Sequence, residues 1–177
     1  MTPFVWYRAL QPDDGEVLDQ IMDAMSPQSR YQRYHGPKPR LTSADRRYLT
    51  SVDERNHLAL VALAPEGAPV GVVRVVRLKD DPFAAELGIE VVDAWQNQGV
   101  GTTLIAHIAR RAAGAGIERL VARVLDQTGY GRSLIRRGWR VVGRDGPSVI
   151  LGADAWALAR AEVPERTRWA PPSTAAG

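Results

Sequence analysis

The stretch from Gln96 to Thr102 carries the clearest ligand-binding pattern in the chain, Gln-Asn-Gln-Gly-Val-Gly-Thr. An apolar run ends at Val92 and a helical apolar pattern begins just after the glycines, which predicts a strand, a loop and the start of a helix. The first amides of a helix have no intrahelical partner and the dipole is positive there, so such a loop favours a phosphate group. Glycines at 99 and 101 let a ligand approach the backbone closely.

Spacing excludes two common phosphate-binding loops. The dinucleotide fingerprint G-x-G-x-x-G would need glycine at position 104, where this chain has Leu104. A Walker loop would also need glycine at that position, followed by a lysine that is absent. Two interpretations remain: a phosphate-binding loop of another kind, or an ordinary glycine turn that leads into a helix without binding a ligand.

Two carboxylates precede this loop on a predicted strand that covers residues 84–92. Alternation along the strand places Glu86, Gly88 and Glu90 on one face and apolar residues on the other. A carboxylate beside a bound substrate could act as a general base. We expect the absent side chain at Gly88 to leave a gap that a substrate could use. The alternative is an ordinary solvated face of the strand.

The remaining apolar patterns alternate between strand and helix and predict one α/β domain at residues 1–152. Residues 153–177 are expected to form a short helix and a flexible tail, which is loose from position 164 onward. The predicted strands are 4–10, 57–64, 70–78, 84–92, 120–125, 139–142 and 148–151, and the predicted helices are 17–25, 43–49, 99–113, 127–137 and 153–161.

Basic residues occur in two further places. Arginines and tyrosines alternate in residues 29–35, just before a proline-rich stretch at 36–40 that predicts irregular structure. The tyrosines are interpreted as the edge of the core and the arginines as solvated, with a recognition surface as the alternative. Arg74 and Arg77, inside a β-branched run, are expected to face solvent.

Composition excludes several classes of protein. The 177 residues are 45% hydrophobic and 24% charged, which is typical of a globular domain. The absence of cysteine excludes disulfides, thiolate zinc sites and a cysteine nucleophile, and the three scattered histidines predict no metal site. We expect a soluble, cytoplasmic protein, because no membrane span or signal peptide is apparent. Its net charge of +3 is modest, so no nucleic-acid partner and no membrane partner are expected.

The motif Gln96-x-x-Gly99-x-Gly101, placed between a strand and a helix, resembles the coenzyme A pyrophosphate loop of the GNAT N-acetyltransferase superfamily. Residues 29–41, which contain Ser-Arg-Tyr-x-Arg-Tyr, together with Ala85-Glu86-Leu87, resemble bacterial Pat-type protein-lysine acetyltransferase domains. The resemblance covers residues 4–151. It implies a GNAT fold: a single mixed, mostly antiparallel, twisted sheet that is flanked by helices and has splayed central strands.

The resemblance also implies roles for individual residues. Glu86 occupies the position of the family's catalytic glutamate, with Glu90 as the runner-up. An amide near Val91 would polarise the thioester carbonyl. Acetyl-CoA would be the co-substrate, with no metal. The residues expected to hold it are Val91, Val92, Asp93, Gln96, Gln98, Gly99, Val100, Gly101, Thr102, Gln127 and Tyr130.

One departure from the family pattern concerns the general acid. Many members have an asparagine and, seven residues later, a tyrosine that protonates the leaving thiolate, but this chain has Gln127 and Leu134 there. Tyr130, Ser133 or solvent could supply the proton instead.

The predicted function is therefore transfer of acetyl from acetyl-CoA to a primary amine, with a protein lysine preferred as acceptor. A small-molecule amine as acceptor and a catalytically silent CoA-binding regulatory module are the alternatives. Whether the protein forms a homodimer is left open.

Overall fold

The apolar segments form one sheet in the computed structural model, which describes residues 4–126, 128–163 and 167–169. Within these ranges the strands are β1 (Val5–Ala9), β2 (His57–Leu63), β3 (Pro69–Arg77), β4 (Ala84–Val91), β5 (Arg119–Leu125), β6 (Arg140–Asp145), β7 (Ser148–Asp154) and β8 (Thr167–Trp169). The helices are α1 (Gly15–Asp23), α2 (Pro27–Tyr34), α3 (Ser43–Leu49), α4 (Val100–Gly114), α5 (Gly129–Arg136) and α6 (Ala155–Ala159). A 3-10 turn covers Asp93–Trp95.

The strand order is β6-β7-β5-β4-β3-β2-β1-β8. Neighbouring strands run antiparallel except in the β1–β8 and β4–β5 pairs, which are parallel. This is the mixed α/β sheet that the resemblance predicted, so the predicted fold class is confirmed.

Helices cover both faces of the sheet, which explains why β2 and β3 are apolar almost throughout. Leu58 and Leu60 on β2 pack in the cluster that contains α4, whereas Ala59 and Val61 pack in the cluster that contains α1 and Leu49 of α3. Because both sets of alternate side chains are buried, neither face of β2 needs polar residues.

The central strands β4 and β5 pair over only three residues, from Ala84 opposite Arg119 to Glu86 opposite Val121. Beyond this point β4 continues to Val91 and β5 continues to Leu125 without pairing. The two strands therefore separate just after Glu86, and the predicted splay is confirmed.

Two elements were not predicted from the sequence. Helix α2 begins at Pro27, where the hydroxyl of Ser26 accepts a hydrogen bond from the amide of Ser29 at 3.1 Å. None of its side chains is fully buried, so its sequence has no apolar stripe that would reveal a helix. Strand β8 lies in the segment that was predicted to be loose, and it pairs with the edge of β1.

Candidate active site

A cleft of about 1070 Å³ opens between β4 and β5. Its walls come from β3, β4, β5, the start of α4, α5 and the ends of α2 and α3. Among the described residues that line it, seven carry a basic side chain and two carry a carboxylate. The cleft therefore has the size of a small-molecule site and favours an anionic ligand.

The glycine loop ends the cleft at the first turn of α4. Gly99, with φ of 85°, occupies the N-cap position, where no side chain caps the helix. The first intrahelical bond runs from the Thr103 amide to the Gly99 carbonyl at 3.0 Å, so the amides of Val100, Gly101 and Thr102 have no intrahelical acceptor. Helices α2, α3, α5 and α6 each have a capping side chain, whereas α1 and α4 have none, and of these two only the first turn of α4 lines the cleft.

Side chains of the same loop hold its shape. Gln96 donates to the carbonyl of Val91 at 2.9 Å and to the hydroxyl of Ser29 at 3.2 Å, while Gln98 donates to the carbonyl of Ala94 at 2.6 Å. Asp93 accepts hydrogen bonds from the Ser26 amide and the Ser29 hydroxyl. Burial opposes ionisation of Asp93, but these hydrogen bonds hold its pKa below the ordinary value. The loop is thus fixed to α2.

The backbone of β4 presents free polar groups to the cleft. The amide of Val92 donates to Val70 on β3 at 2.9 Å, and in a strand the peptide groups of alternate residues point to opposite sides. Ile89 and Val91 therefore direct their amides away from β3, towards the gap left by β5, whereas the Leu87 amide lies at the end of the β4–β5 pairing. Val92 is committed to β3, whereas Ile89, which was not predicted as a site residue, borders the cleft.

Glu86 lies where β4 and β5 separate. Its side chain is exposed, lines the cleft, and makes no hydrogen bond or ion pair with another residue in the described part of the chain. A carboxylate with free lone pairs in such a position can accept a proton from a bound molecule.

Glu90, on the same face of β4, has a different environment. It is 5% exposed, forms an ion pair with the Arg33 Nε at 3.1 Å and accepts a hydrogen bond from the Tyr34 hydroxyl at 3.1 Å. Burial, followed by the charge of Glu90, raises the pKa of Tyr34 and keeps its phenol neutral. The Glu90 carboxylate is therefore engaged by protein groups and shielded from a bound substrate.

Two expectations about β3 and β4 are wrong, one at Arg74 and one at Gly88. Arg74 does not face solvent: it is 4% exposed and donates to the Leu49 carbonyl at 2.7 Å. The gap at Gly88 is filled by Arg33, since a Cβ there would overlap its Nη2 and lie 2.9 Å from its Cζ. Arg33 is accordingly an ion-pair partner rather than a solvated side chain.

Arg77 also differs from its expectation, because it is only partly exposed. It donates to carbonyls of Pro82, Arg55 and Ala115. These contacts tie β3 to the chain segments around it.

Helix α5 forms the opposite wall. Tyr130 lines the cleft; it is 37% exposed as a residue, yet burial around its hydroxyl raises its pKa. Ser133 also lines the cleft, and Leu134, at the position of the family's usual tyrosine, is 2% exposed. Gln127 lies outside the described residues.

His35 was not predicted as part of the site. It ends α2 with φ of 56° and lines the cleft. Its Nδ1 lies 3.1 Å from the hydroxyl oxygen of Ser148. Burial, followed by the charges of Arg33 and Arg123, lowers its pKa and favours the neutral ring. A single histidine next to a glycine carries no sequence signal for this position.

The structure brings most predicted site residues to one place. Those that line the cleft are Glu86, Val91, Gln96, Gly99, Gly101, Thr102 and Tyr130. Those that lie beside it without lining it are Val92, Asp93, Gln98 and Val100. No cluster of metal-ligating side chains occurs within the described ranges, nor is any helix there long and apolar enough to cross a membrane.

Comparison with known proteins matches the geometry. The model of the acetyltransferase (GNAT) family matches residues 18–139. The GNAT domain of PAT from S. lividans is similar at 29% identity, with 84% of this chain and 89% of that chain covered and a TM-score of 0.78. The predicted resemblance to Pat-type domains is thereby confirmed.

Two other solved structures are similar. A cAMP-binding acyltransferase from Mycobacterium smegmatis is 26% identical over 85% of this chain and 43% of its own, with a TM-score of 0.59. The PaiA N-acetyltransferase from Thermoplasma acidophilum, solved with coenzyme A, shares the fold at 20% identity over 85% of this chain and 98% of its own, with a TM-score of 0.64. With its glycine loop, splayed strands and family match, the chain belongs to the GNAT family and is an acetyl-CoA-dependent N-acetyltransferase.

Proposed function

We propose that the protein transfers acetyl from acetyl-CoA to the amine of a protein lysine, with Glu86 as general base. The observation that carries the proposal is the placement of a free carboxylate, Glu86, at the point where β4 and β5 separate, in the same cleft as the open N-terminus of α4.

The amides of residues 98–102 would hold the coenzyme A pyrophosphate. Three of these amides have no intrahelical acceptor, and the helix dipole adds to the attraction. A Cβ at Gly101 would meet only Ile89 and Val91, at 3.6 and 3.7 Å, so the protein itself leaves room there. The pantetheine arm would lie along the β4 main chain at Ile89 and Val91.

Glu86 would remove the proton that blocks attack. A lysine amine has a pKa of about 10.4, so nearly all of it is protonated at about pH 7 and only the neutral form attacks a thioester. Glu86 would take the proton directly or through a water. The amine nitrogen then bonds to the acetyl carbon, and an amide near Val91 would donate to the developing oxyanion.

Collapse of that oxyanion breaks the carbon–sulfur bond and releases coenzyme A as the thiolate. Tyr130 and Ser133 on α5 are the protein groups available to protonate it, and solvent is the alternative, because a thiol with a pKa of about 8.5 leaves readily. Leu134 offers no proton.

Lysine as the acceptor is supported by the similarity to the S. lividans PAT domain, and a small-molecule amine is the alternative. A cytoplasmic location belongs to the same proposal.

The test mixes protein, acetyl-CoA and a thiol reagent with a panel of acceptors: native and denatured lysine-containing proteins, lysine peptides, polyamines and aminoglycosides. We expect thiol release that depends on the amine and is fastest with a lysine protein. If coenzyme A binds but no amine stimulates release, the chain is a silent CoA-binding module and the proposal fails.

A further inference from the structure

Two arginines on the wall of the cleft, Arg33 and Arg74, both lie in the field of a single carboxylate, Glu90. Arg33 lies against Glu90, and Arg74 lies on the neighbouring strand, opposite Gly88 in the β3–β4 register. The other polar groups beside them are neutral, because burial raises the pKa of Tyr34, while burial followed by the charge of Arg74 lowers the pKa of His57. This arginine pair therefore holds one positive charge in excess, which is costly in a buried position.

The hydrogen-bond donors of the pair are also in excess. Arg74 uses Nη1 for the Leu49 carbonyl at 2.7 Å, and that atom lies 3.4 Å from the His57 Nε2. Its Nη2 is buried and has no hydrogen-bond partner among the described residues. A guanidinium presents five donors in a fork that matches a carboxylate, so a bound carboxylate would satisfy both the charge and the donors.

The pair lies close to Glu86. Gly88, which faces Arg74, is two residues from Glu86 along β4, or roughly 7 Å. Both positions are on the same face of the strand, and all three side chains line the same cleft. Arg33 has 25% of its side chain exposed and is the member that a ligand would meet first.

The phosphate loop lies elsewhere. A Cβ at Gly101 of α4 would lie 3.6 and 3.7 Å from the side chains of Ile89 and Val91, which alternate with those of Glu86 and Glu90 on β4. The arginine pair and the first turn of α4 are thus on different sides of β4. Coenzyme A phosphates bound at α4 would therefore not neutralise the excess charge of the pair or accept its hydrogen bonds.

We infer that Arg33 and Arg74 bind a carboxylate of the acceptor while its amine lies at Glu86. The preferred acceptor then carries a carboxylate a few atoms from its amine, either its own or that of an acidic neighbour of the modified lysine. The inference rests on the proposed function, since it names the class of acceptor for that site.

The first arm of the test compares Nα-acetyl-lysine with Nα-acetyl-lysinamide, which differ only in the carboxylate. Binding to the protein saturated with coenzyme A is measured by calorimetry, and turnover with acetyl-CoA by thiol release. We expect the carboxylate to lower Kd and KM about tenfold, the effect of one charge-assisted hydrogen bond. A second arm compares Asp-Lys with Asn-Lys peptides and shows whether a neighbouring side chain can supply the carboxylate.

Arg33→Gln and Arg74→Gln should abolish the preference for the carboxylate, so that the Kd values of the two acceptors become equal. Gly88→Ala should weaken the preference while keeping every charge, because the added Cβ displaces the Arg33 guanidinium. Arg140→Gln removes an exposed charge outside the cleft and should keep the preference. Coenzyme A affinity and thermal midpoint serve as the folding controls.

Equal binding of the two acceptors by the wild-type protein would overturn the inference, whether or not any variant folds. The inference would also be overturned if the arginine variants lowered the affinity for coenzyme A, or lowered the affinities for both acceptors by the same factor. A carboxylate preference in binding without thiol release would leave the inference standing and contradict the proposed function instead.

Discussion

Glu86 and Glu90 lie two positions on either side of Gly88, on one face of β4, and their environments differ completely. Glu86 is exposed in the cleft and makes no hydrogen bond or ion pair in the described part of the chain. Glu90 is buried against Arg33 and Tyr34. Both residues are glutamates on the same face of β4. The difference therefore comes from α2, whose Arg33 and Tyr34 bind the Glu90 carboxylate and leave the Glu86 carboxylate accessible to a ligand.

Glu86 can act only if the loop delivers a thioester to it, and Gly101→Glu tests that requirement with the largest expected effect. The added bulk and negative charge stand where the pyrophosphate would bind, while the Cβ itself clashes with no protein atom. We expect loss of detectable acetyl-CoA binding by calorimetry. Gly114→Glu places the same side chain at the other end of α4, where a Cβ meets nothing within 4 Å, and should bind normally. Normal binding by Gly101→Glu would remove the loop assignment.

The second prediction concerns stability. Glu90→Gln breaks the buried ion pair and leaves two guanidiniums without their carboxylate, so we expect a loss of about 3 kcal/mol in the free energy of unfolding by urea. Glu86→Gln removes an exposed carboxylate that makes no ion pair and should change the same quantity by less than about 0.5 kcal/mol. Equal losses of unfolding free energy in the two variants would show that the contacts of Glu90 with Arg33 and Tyr34 do not contribute to stability.

A third carboxylate, Asp45, shows how much hydrogen-bond and ion-pair partners change a pKa where burial is slight. Asp45 is only partly buried, yet the Lys38 ammonium at 2.7 Å, with the amide and hydroxyl of Thr42, lowers its pKa to about 2. Its stabilising contribution is therefore complete above its ordinary pKa and disappears as the pH falls towards about 2.

Asp45→Asn also removes the capping box of α3, and we expect a smaller loss of stability than for Glu90→Gln, about 1 kcal/mol in urea denaturation near neutral pH. The difference from wild type should shrink between about pH 4 and about pH 2. Asp23→Asn, at an exposed carboxylate, is the matched control and should show no such trend. A difference between Asp45→Asn and wild type that grows on acidification would contradict the lowered pKa of Asp45.

The sequence predicted the elements whose signals are local. Helix α3 follows Thr42, and β4 and α4 flank a loop whose glycines indicate both a turn and a ligand. Glu86 and Glu90 were also placed correctly on one face. These features depend on alternation, caps and spacing within short stretches of the chain.

The missed features depend on contacts between distant segments. Arg74 is buried where its guanidinium donates to the Leu49 carbonyl at the end of α3, and Arg33 fills the space above Gly88 beside it; neither contact is visible in the β-branched run around Arg74. Helix α2 packs through Arg33 and Tyr34 on a charged cluster, so no apolar period predicts it. Strand β8 exists because the edge of β1 accepts it.

The proposed function depends most directly on the role of Glu86, and the turnover number of Glu86→Gln at saturating acetyl-CoA and amine measures that role. We expect kcat to fall by about 10²- to 10⁴-fold, the usual contribution of a positioned base, while the Kd for acetyl-CoA stays within about twofold of the wild-type value. An unchanged kcat would eliminate Glu86 as the base and, with it, the distinction between the two carboxylates of β4.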